Sequence, residues 1–213
     1  MFTTSFGLED QLIAHHIFSE DLPIEVTTLD TGRLFGATYK VWQETEERYG
    51  VRIRSFHPDA ASLAALVADA GINGFYHSKE VRVACCTVRK VEPLGRALAG
   101  ADQWITGLRA DQSGGRADVE LAAWDAERGL LKVAPLFDWS RGRVTEACAD
   151  LGIPVNQLHA AGFVSIGCEP CTRAVAPHEP ERAGRWWWET DDAKECGLHV
   201  GGDGRLVRSG TSA

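Results

Sequence analysis

"IEVTTLDTGRLFGATYKVWQETEERYGVRIRSFH", residues 24–57, predicts a strand, a helix and a second strand in direct succession. The outer segments, IEVTTLD at 24–30 and VRIRSFH at 51–57, are rich in the β-branched and aromatic residues that favour strands. Between them, ATYKVWQETEERYG at 37–50 is typical of a helix that ends at Gly50. Such alternation predicts a parallel sheet.

The same alternation continues on both sides of this stretch. FTT at 2–4 is interpreted as the end of a strand, and LEDQLIAHHIFSE at 8–20 as a helix with one apolar face. The later elements are predicted from local composition and from glycines and prolines that end helices or strands. They begin with a helix at 61–71 closed by Gly71 and a helical segment from Cys86 to Ala99 that Pro93 interrupts or restarts. A strand at 102–108, an added hairpin from 119–125 and 129–135, and a helix at 144–152 follow.

These elements predict an α/β fold, a doubly wound and mostly parallel sheet with helices on both faces. The first strand is very short, so we expect either that the chain starts late or that Met1 is not the natural start. From residue 165 glycine, proline, arginine and tryptophan dominate and the periodicity fades. We therefore expect an α/β unit at 1–164 and a loop-rich segment at 165–213 that belongs to the same domain and ends in a mobile tail.

Composition narrows the class of partner. The formal net charge of −8 argues against nucleic-acid and membrane surfaces, and no apolar run is long enough to cross a bilayer. The first residues lack the basic and apolar regions of a signal peptide, which indicates a cytoplasmic protein with reduced thiols. Six cysteines in that setting favour metal or redox chemistry over disulfides.

Four cysteines form two close pairs. Cys85 and Cys86 are adjacent in VACCTVRK, and Cys168 and Cys171 belong to GCEPC, where a Cys-x-x-Cys turn brings two sulfurs together. Buried structural thiols and a four-thiolate zinc site are alternatives. Because adjacent side chains diverge, they suit one tetrahedral ion poorly. Iron corners several ångströms apart suit them better, so we favour a 4Fe-4S cluster.

The other two cysteines differ from the pairs and from each other. Cys148 shares a helical face with apolar neighbours and is predicted to lie in the core. Cys196 stands alone in KECGLH, where Lys194 and His199 can lower the pKa of its thiol. It is a candidate nucleophile, and an incidental surface thiol is the alternative.

Two loops have the position and composition of ligand-binding loops. In TSFGLED at 4–10, Ser5 and Gly7 would let a hydroxyl and backbone N–H groups approach a phosphate at a helix start. LDTGRLF at 29–35 follows a strand, where parallel sheets bind ligands, although a helix start capped by Asp30 or Thr31 fits the same residues.

Arginines lie beside glycines at several points where an anion would need them: Arg109, Arg116, Arg173, Arg182 and Arg185. The run RWWW at 185–188 is too apolar to be left in water. Core packing or a lid accounts for it best, and stacking on a ligand is the alternative.

Taken in order from Ser5 to His199, the motifs SFGLED, TLDTGRLF, CCTVRKVEPL, ITGLRADQS, GCEPCTR, RAGRWWWE and KECGLH resemble the assimilatory adenylylsulfate (APS) reductases of the phosphosulfate reductase family. The resemblance implies a sheet of the adenine-nucleotide α-hydrolase type and a nucleotide-binding role for 1–164. It also implies that Cys196 attacks the sulfur of adenosine 5′-phosphosulfate, that AMP leaves, and that thioredoxin or glutaredoxin releases sulfite from the S-sulfocysteine formed.

The same resemblance implies roles for named residues. Cys85, Cys86, Cys168 and Cys171 match the ligands of a 4Fe-4S cluster, and Lys90 matches a lysine between cluster and substrate. The phosphosulfate would be held by Arg116, Arg182, Arg185 and His199. The nucleotide would be held by loops that contain Ser5, Phe6, Gly7, Leu29 and Gly107.

Alternatives stay open at this point. A reductase of the 3′-phosphorylated substrate (PAPS), or of both substrates, is the nearest, although members restricted to PAPS generally lack the cysteine pairs. An ATP-pyrophosphatase-type sulfur-transfer protein would want an SGGxDS loop and usually a basic surface. A zinc-bound interaction module without catalysis is a third class. The oligomeric state is open, a homo-oligomer included.

Overall fold

The computed structural model describes residues 1–189. One six-stranded sheet has the strand order β3-β2-β1-β4-β6-β5. Every neighbouring pair is parallel except the antiparallel pair β5–β6. The predicted α/β class and mostly parallel sheet are therefore confirmed. The strands are β1 (Phe2–Thr4), β2 (Val26–Leu29), β3 (Arg54–Phe56), β4 (Gln103–Ile105), β5 (Ala122–Asp125) and β6 (Leu130–Val133).

Helices alternate with these strands as predicted. Gly50 follows the second helix with a φ of +65°, the left-handed conformation that glycine adopts at little cost. The α-helices are α1 (Leu8–Ser19), α2 (Gly36–Tyr49), α3 (Ala60–Ala70), α4 (Lys79–Cys86), α5 (Glu92–Ala97) and α6 (Arg141–Asp150). None of the helices within residues 1–189 has the length and apolar character needed to cross a membrane.

Both faces of the sheet are covered. On one face Phe2 and Ile105 pack with residues of α1 and α6, Cys148 among them, as predicted for that thiol. On the other face Trp104 packs with Leu94, which belongs to α5. Trp104 and Ile105 are adjacent in β4 and point to opposite faces, the alternation of a pleated strand. The doubly wound arrangement follows from these two separate cores.

The helical segment around the paired cysteines differs from the prediction. It starts upstream with α4, whose first turn is capped by the Ser78 hydroxyl, and passes into a π-helical turn at Thr87–Val91 before α5. Pro93 lies in the first turn of α5, where its missing N–H is not needed. The amide of Glu92 donates to the Thr87 carbonyl, five residues back. Lys90 therefore lies in a π turn rather than in an ordinary α-helical turn.

The hairpin was also predicted in a different setting. β5 and β6 do pair with each other, but β6 also pairs in parallel with β4. β6 is thus an integral strand of the sheet rather than an addition, because it covers the edge of β4 that faces away from β1. β5 is left at the sheet edge.

Residues after 165 return to the carboxyl edge of the sheet. Cys168 forms an isolated antiparallel bridge with Leu34, just beyond β2, and Thr172 forms another with Arg185. At the end of the described chain, Glu189 accepts two hydrogen bonds from the buried guanidinium of Arg82. These contacts bring the second cysteine pair toward the first.

Candidate active site

A cleft of about 210 Å³ lies at the carboxyl ends of β1, β2 and β4. From β1 the sheet continues to β2 on one side and to β4 on the other, so this is the point where parallel sheets bind ligands. All eight residues expected to hold the substrate from within the described chain line it, together with Lys90 and Cys168. These eight are Ser5, Phe6, Gly7, Leu29, Gly107, Arg116, Arg182 and Arg185. The predicted catalytic residues Cys196 and His199 lie outside the described residues.

The loop between β1 and α1 forms one wall. Phe6 has a φ of +58°, and its buried ring stacks on Trp42 with centroids 5.4 Å apart, so the ring belongs to the core. Gly7 precedes α1 and offers no side-chain cap. The first N–H groups of the helix therefore have no side-chain acceptor at Gly7, which favours an anion or a polar ligand at this end.

Asp10 is a functional candidate that the sequence analysis missed. Its Oδ2 accepts hydrogen bonds from the Ser5 amide at 2.6 Å and the Ser5 hydroxyl at 2.7 Å. A Cβ added to Gly107 would lie 2.3 Å from Asp10 Oδ1, so only glycine fits there. Burial raises the pKa of Asp10 to about 6. The only available signal was its place in SFGLED, five residues after Ser5.

This raised pKa predicts a pH effect on stability. The folded chain holds the Asp10 proton more tightly than the unfolded chain, so the stabilisation is present at low pH and is lost as the pH rises through about 6. Relative to Asp10→Asn, we expect the unfolding free energy of the parent to fall by about 1.4 kcal/mol between roughly pH 5 and roughly pH 7.5. Urea titrations of both proteins measure this difference. Parallel pH profiles would contradict it.

The opposite wall is basic. The guanidinium of Arg185 is buried, lies 4.6 Å from the Trp186 ring centroid, and leaves no room for a side chain at Gly167, whose Cβ would approach Arg185 Nη2 to 2.3 Å. Lys90 is buried as well and lines the same cleft. Two buried cations in one cleft create a strong preference for an anionic ligand.

Arg109 does not have the role that its neighbouring glycines suggested. It is completely buried and pairs with Glu9 at 2.7 Å, Glu181 at 2.9 Å and Asp111 at 3.4 Å. Its charge is therefore balanced within the protein rather than by a ligand. Through Glu181 it anchors the segment that carries the neighbouring Arg182. Arg173, similarly, pairs with Glu179 at 2.8 Å.

The two cysteine pairs meet beside this basic wall. Cys86, Cys168 and Cys171 form a buried cluster with Phe75 and Trp186, and Cys85 packs against it. The first pair ends α4, and the second flanks a 3-10 turn at Glu169–Cys171. None of the four forms a disulfide within residues 1–189. The structure thus brings the predicted ligand set into one pocket.

The thiols differ in electrostatic setting. Burial tends to raise the pKa of Cys168, but the charge of Lys90 and a hydrogen bond with the Thr31 hydroxyl outweigh it, and the pKa is lowered. Burial and the neighbouring Cys168 raise the pKa of Cys171 to about 12. Thr31, noted in the sequence only as a possible cap, therefore belongs to the site, and α2 begins later, at Gly36.

Buried N–H donors near the four thiols indicate what kind of group could bind there. Arg185 Nε, Trp186 Nε1 and Trp188 Nε1 are buried without an acceptor in residues 1–189. Sulfide and thiolate sulfurs of an iron–sulfur cluster accept such bonds. Within the same part of the chain no three Cys, His, Asp or Glu side chains are arranged to hold one metal ion. The buried N–H donors are therefore compatible with a sulfur-bearing group held by these thiols.

Comparison with known proteins shows the family to which the chain belongs. Residues 1–174 match the model of the phosphoadenosine phosphosulfate reductase domain. The chain belongs to this family. It is 56% identical to an adenosine 5′-phosphosulfate reductase of Agrobacterium fabrum over 202 residues, 95% of this chain and 78% of that protein. The corresponding enzyme of Rhizobium meliloti is 57% identical over 200 residues, 94% of this chain and 76% of that protein.

A solved phosphosulfate reductase has the same fold. The phosphoadenylyl-sulfate (PAPS) reductase from Candida auris, in a phosphate complex, superposes with a TM-score of 0.68, 24% identity and 81% of each chain covered. The predicted family and the adenine-nucleotide α-hydrolase type of sheet are therefore confirmed. The reductases of this family are oxidoreductases that act on a sulfur group, which is the enzyme class predicted from the sequence.

Proposed function

We propose that this phosphosulfate reductase converts adenosine 5′-phosphosulfate to sulfite and AMP. The observation that carries the proposal is the cleft itself, which joins the Ser5 loop at one end to Lys90 and Arg185 beside Cys168 at the other. A nucleotide fits the carboxyl edge of the sheet, and an anionic phosphosulfate fits the buried cations. The relatives at 56% and 57% identity carry the name of this activity.

Cys196 is the proposed nucleophile. Its thiolate attacks the sulfate sulfur, a sulfur–sulfur bond forms, and the bond from that sulfur to the phosphate oxygen breaks, so AMP leaves with the electron pair. A dithiol, such as reduced thioredoxin or glutaredoxin, then supplies two electrons and releases sulfite, and the Cys196 thiol is restored. Arg116, Arg182, Arg185 and His199 are the proposed counter-charges for the phosphosulfate.

We propose that Cys85, Cys86, Cys168 and Cys171 hold a 4Fe-4S cluster. When bound, such a cluster supplies a compact charged centre able to exchange electrons. Lys90 lines the cleft and lowers the pKa of Cys168, so its ammonium can favour thiolate ligands and an anionic substrate together. The unpaired N–H donors of Arg185 and Trp186 support the same assignment.

The cluster assignment predicts metal content. Anaerobically purified parent protein should be brown and contain about four iron and four sulfide per chain. Cys171→Ser should lose most of both, because one of four thiolate ligands is missing. Cys148→Ser is the matched control, since that buried thiol packs in the sheet core far from the pairs. Zinc in place of iron in an active parent protein would contradict the assignment.

The activity itself is tested by sulfite release. Parent protein, a dithiol and adenosine 5′-phosphosulfate should yield sulfite and AMP in equal amounts, with the 3′-phosphorylated substrate turned over more slowly. Comparable rates would favour the second candidate, a reductase of both substrates. No sulfite from either substrate, in protein with its metal intact, would sink the proposal.

We further propose a cytoplasmic location. The five cysteines of residues 1–189 form no disulfide with one another, which suits a reducing compartment and a thioredoxin or glutaredoxin partner. The net charge of −8 gives no support for a nucleic-acid or membrane partner. Sedimentation would establish whether the chain forms a homo-oligomer.

A further inference from the structure

We propose that Asp10 holds the Ser5 hydroxyl so that it can only accept a hydrogen bond from a ligand. The cleft then binds a nucleoside with a hydroxyl or amino donor at this point and rejects a nucleoside that carries a phosphate there. The inference rests on the proposed function and deepens it. It assigns to a residue outside the predicted site the choice between adenylylsulfate and its 3′-phosphorylated form.

The first step is a count of protons. A serine hydroxyl has one proton to donate and two lone pairs that accept. The Ser5 hydroxyl lies 2.7 Å from Asp10 Oδ2, and the Ser5 amide donates to the same oxygen at 2.6 Å. An ionised carboxylate has no proton, so both bonds run from Ser5 to Asp10. Ser5 is exposed in the cleft, and only its lone pairs remain for a ligand.

The second step is that Asp10 cannot turn away. Its carboxyl is buried, and Oδ1 occupies the space where a side chain on Gly107 would lie. Gly107 follows β4, so the first and fourth strands together hold the carboxylate against the loop. The orientation of Ser5 is therefore part of the folded structure and need not be created by the ligand.

The third step concerns charge. The cations that act on Cys168 are Lys90 and Arg185, which marks the phosphosulfate end of the cleft. The charged groups that act on Asp10 are Glu9 and Arg116, and Arg116 also lines the cleft.

Glu9 is paired with Arg109, which leaves the Asp10 carboxylate as the negative charge that contacts Ser5. A nucleoside phosphate placed against the Ser5 hydroxyl would face its two lone pairs and the Asp10 carboxylate behind it, whereas a nucleoside hydroxyl would donate to Ser5. A site built around a hydrogen-bond donor discriminates strongly against analogues that lack it.

The test measures affinity for two products by calorimetry: AMP and adenosine 3′,5′-bisphosphate. The parent should prefer AMP by roughly a hundredfold or more. In Asp10→Asn the amide oxygen can still accept from Ser5, but the negative charge that opposes a phosphate beside Ser5 is removed. The preference should fall at least roughly tenfold, through tighter binding of the bisphosphate. Asp138→Asn makes the same charge change at an exposed site outside the cleft lining and should keep the parent preference.

Ser5→Ala gives an independent check at an exposed residue. It should weaken AMP binding at least roughly fivefold and leave the bisphosphate weak. A folded Asp10→Asn protein with an unchanged preference, or parent-like AMP binding in Ser5→Ala, would overturn the inference. Parent protein that binds neither nucleotide would overturn the proposed function instead. Because each preference is a ratio within one variant, a purely structural loss would not alter it.

Discussion

Replacing Cys196 by serine is expected to abolish sulfite release and to leave the brown colour and nucleotide binding intact. A serine hydroxyl is a far weaker nucleophile than a thiolate, and loss of a covalent nucleophile typically reduces turnover by at least roughly a thousandfold. The four cluster cysteines lie elsewhere in the chain, so the iron content should not change. Sulfite release and iron analysis on one preparation measure both properties.

The same proposal predicts a covalent intermediate. Parent protein incubated with ³⁵S-labelled substrate and no reductant should retain label on Cys196 until a dithiol is added. Cys196→Ser should retain none, and Cys148→Ser should label like the parent. Label on a cysteine of the two pairs would contradict this mechanism, and so would full activity in Cys196→Ser.

Lys90→Met is expected to lower kcat/KM by roughly a hundredfold with the fold retained. Methionine keeps most of the side-chain volume and removes a charge that lines the cleft and acts on Cys168. The lost ammonium would leave the anionic substrate and the thiolates without their shared counter-charge. Steady-state kinetics with adenosine 5′-phosphosulfate measure the effect, and circular dichroism verifies the fold.

Lys132→Met is the matched control for this change. Lys132 is also buried, but it lies on β6 with its ammonium 5.0 Å from the Trp104 ring centroid and does not line the cleft. Its loss should affect stability more than turnover. Lys90→Arg, which keeps the charge, should recover part of the activity. Equal activity of Lys90→Met and the parent would mean that Lys90 is a structural charge only.

Local patterns sufficed for most of the secondary structure. Leu8, Leu12 and Ile17 recur at helical spacing and all are buried in α1, and Gly50 ends α2 in the left-handed conformation. Such signals depend on near neighbours in the chain. The π turn at Thr87–Val91 could not be predicted in this way, because Pro93 is compatible with either an interruption or a new first turn.

The position of the cleft was also predictable. Ser5 and Gly107 follow β1 and β4, and Leu29 is the last residue of β2. The carboxyl ends of neighbouring parallel strands meet at one edge of a sheet. The cysteine pairs could be grouped by their chemistry without knowledge of the fold. What remained hidden was the neighbourhood of each charged side chain.

Sequence alone was enough for the alternation of strands and helices, the paired thiols and the resemblance to the phosphosulfate reductases, since each depends on adjacent residues or on motifs in order. Arg109 and Arg185 look alike at that level, and only the folded chain separates them. Arg109 meets Glu9 and Glu181 from 100 and 72 residues away, whereas Arg185 Nε has no acceptor in residues 1–189. Asp10 acquires its proposed role only in the folded chain, where Gly107 packs closely against its carboxylate. The function of an ionisable side chain depends on the burial and charges around it, and these are set by long-range contacts rather than by neighbours along the chain.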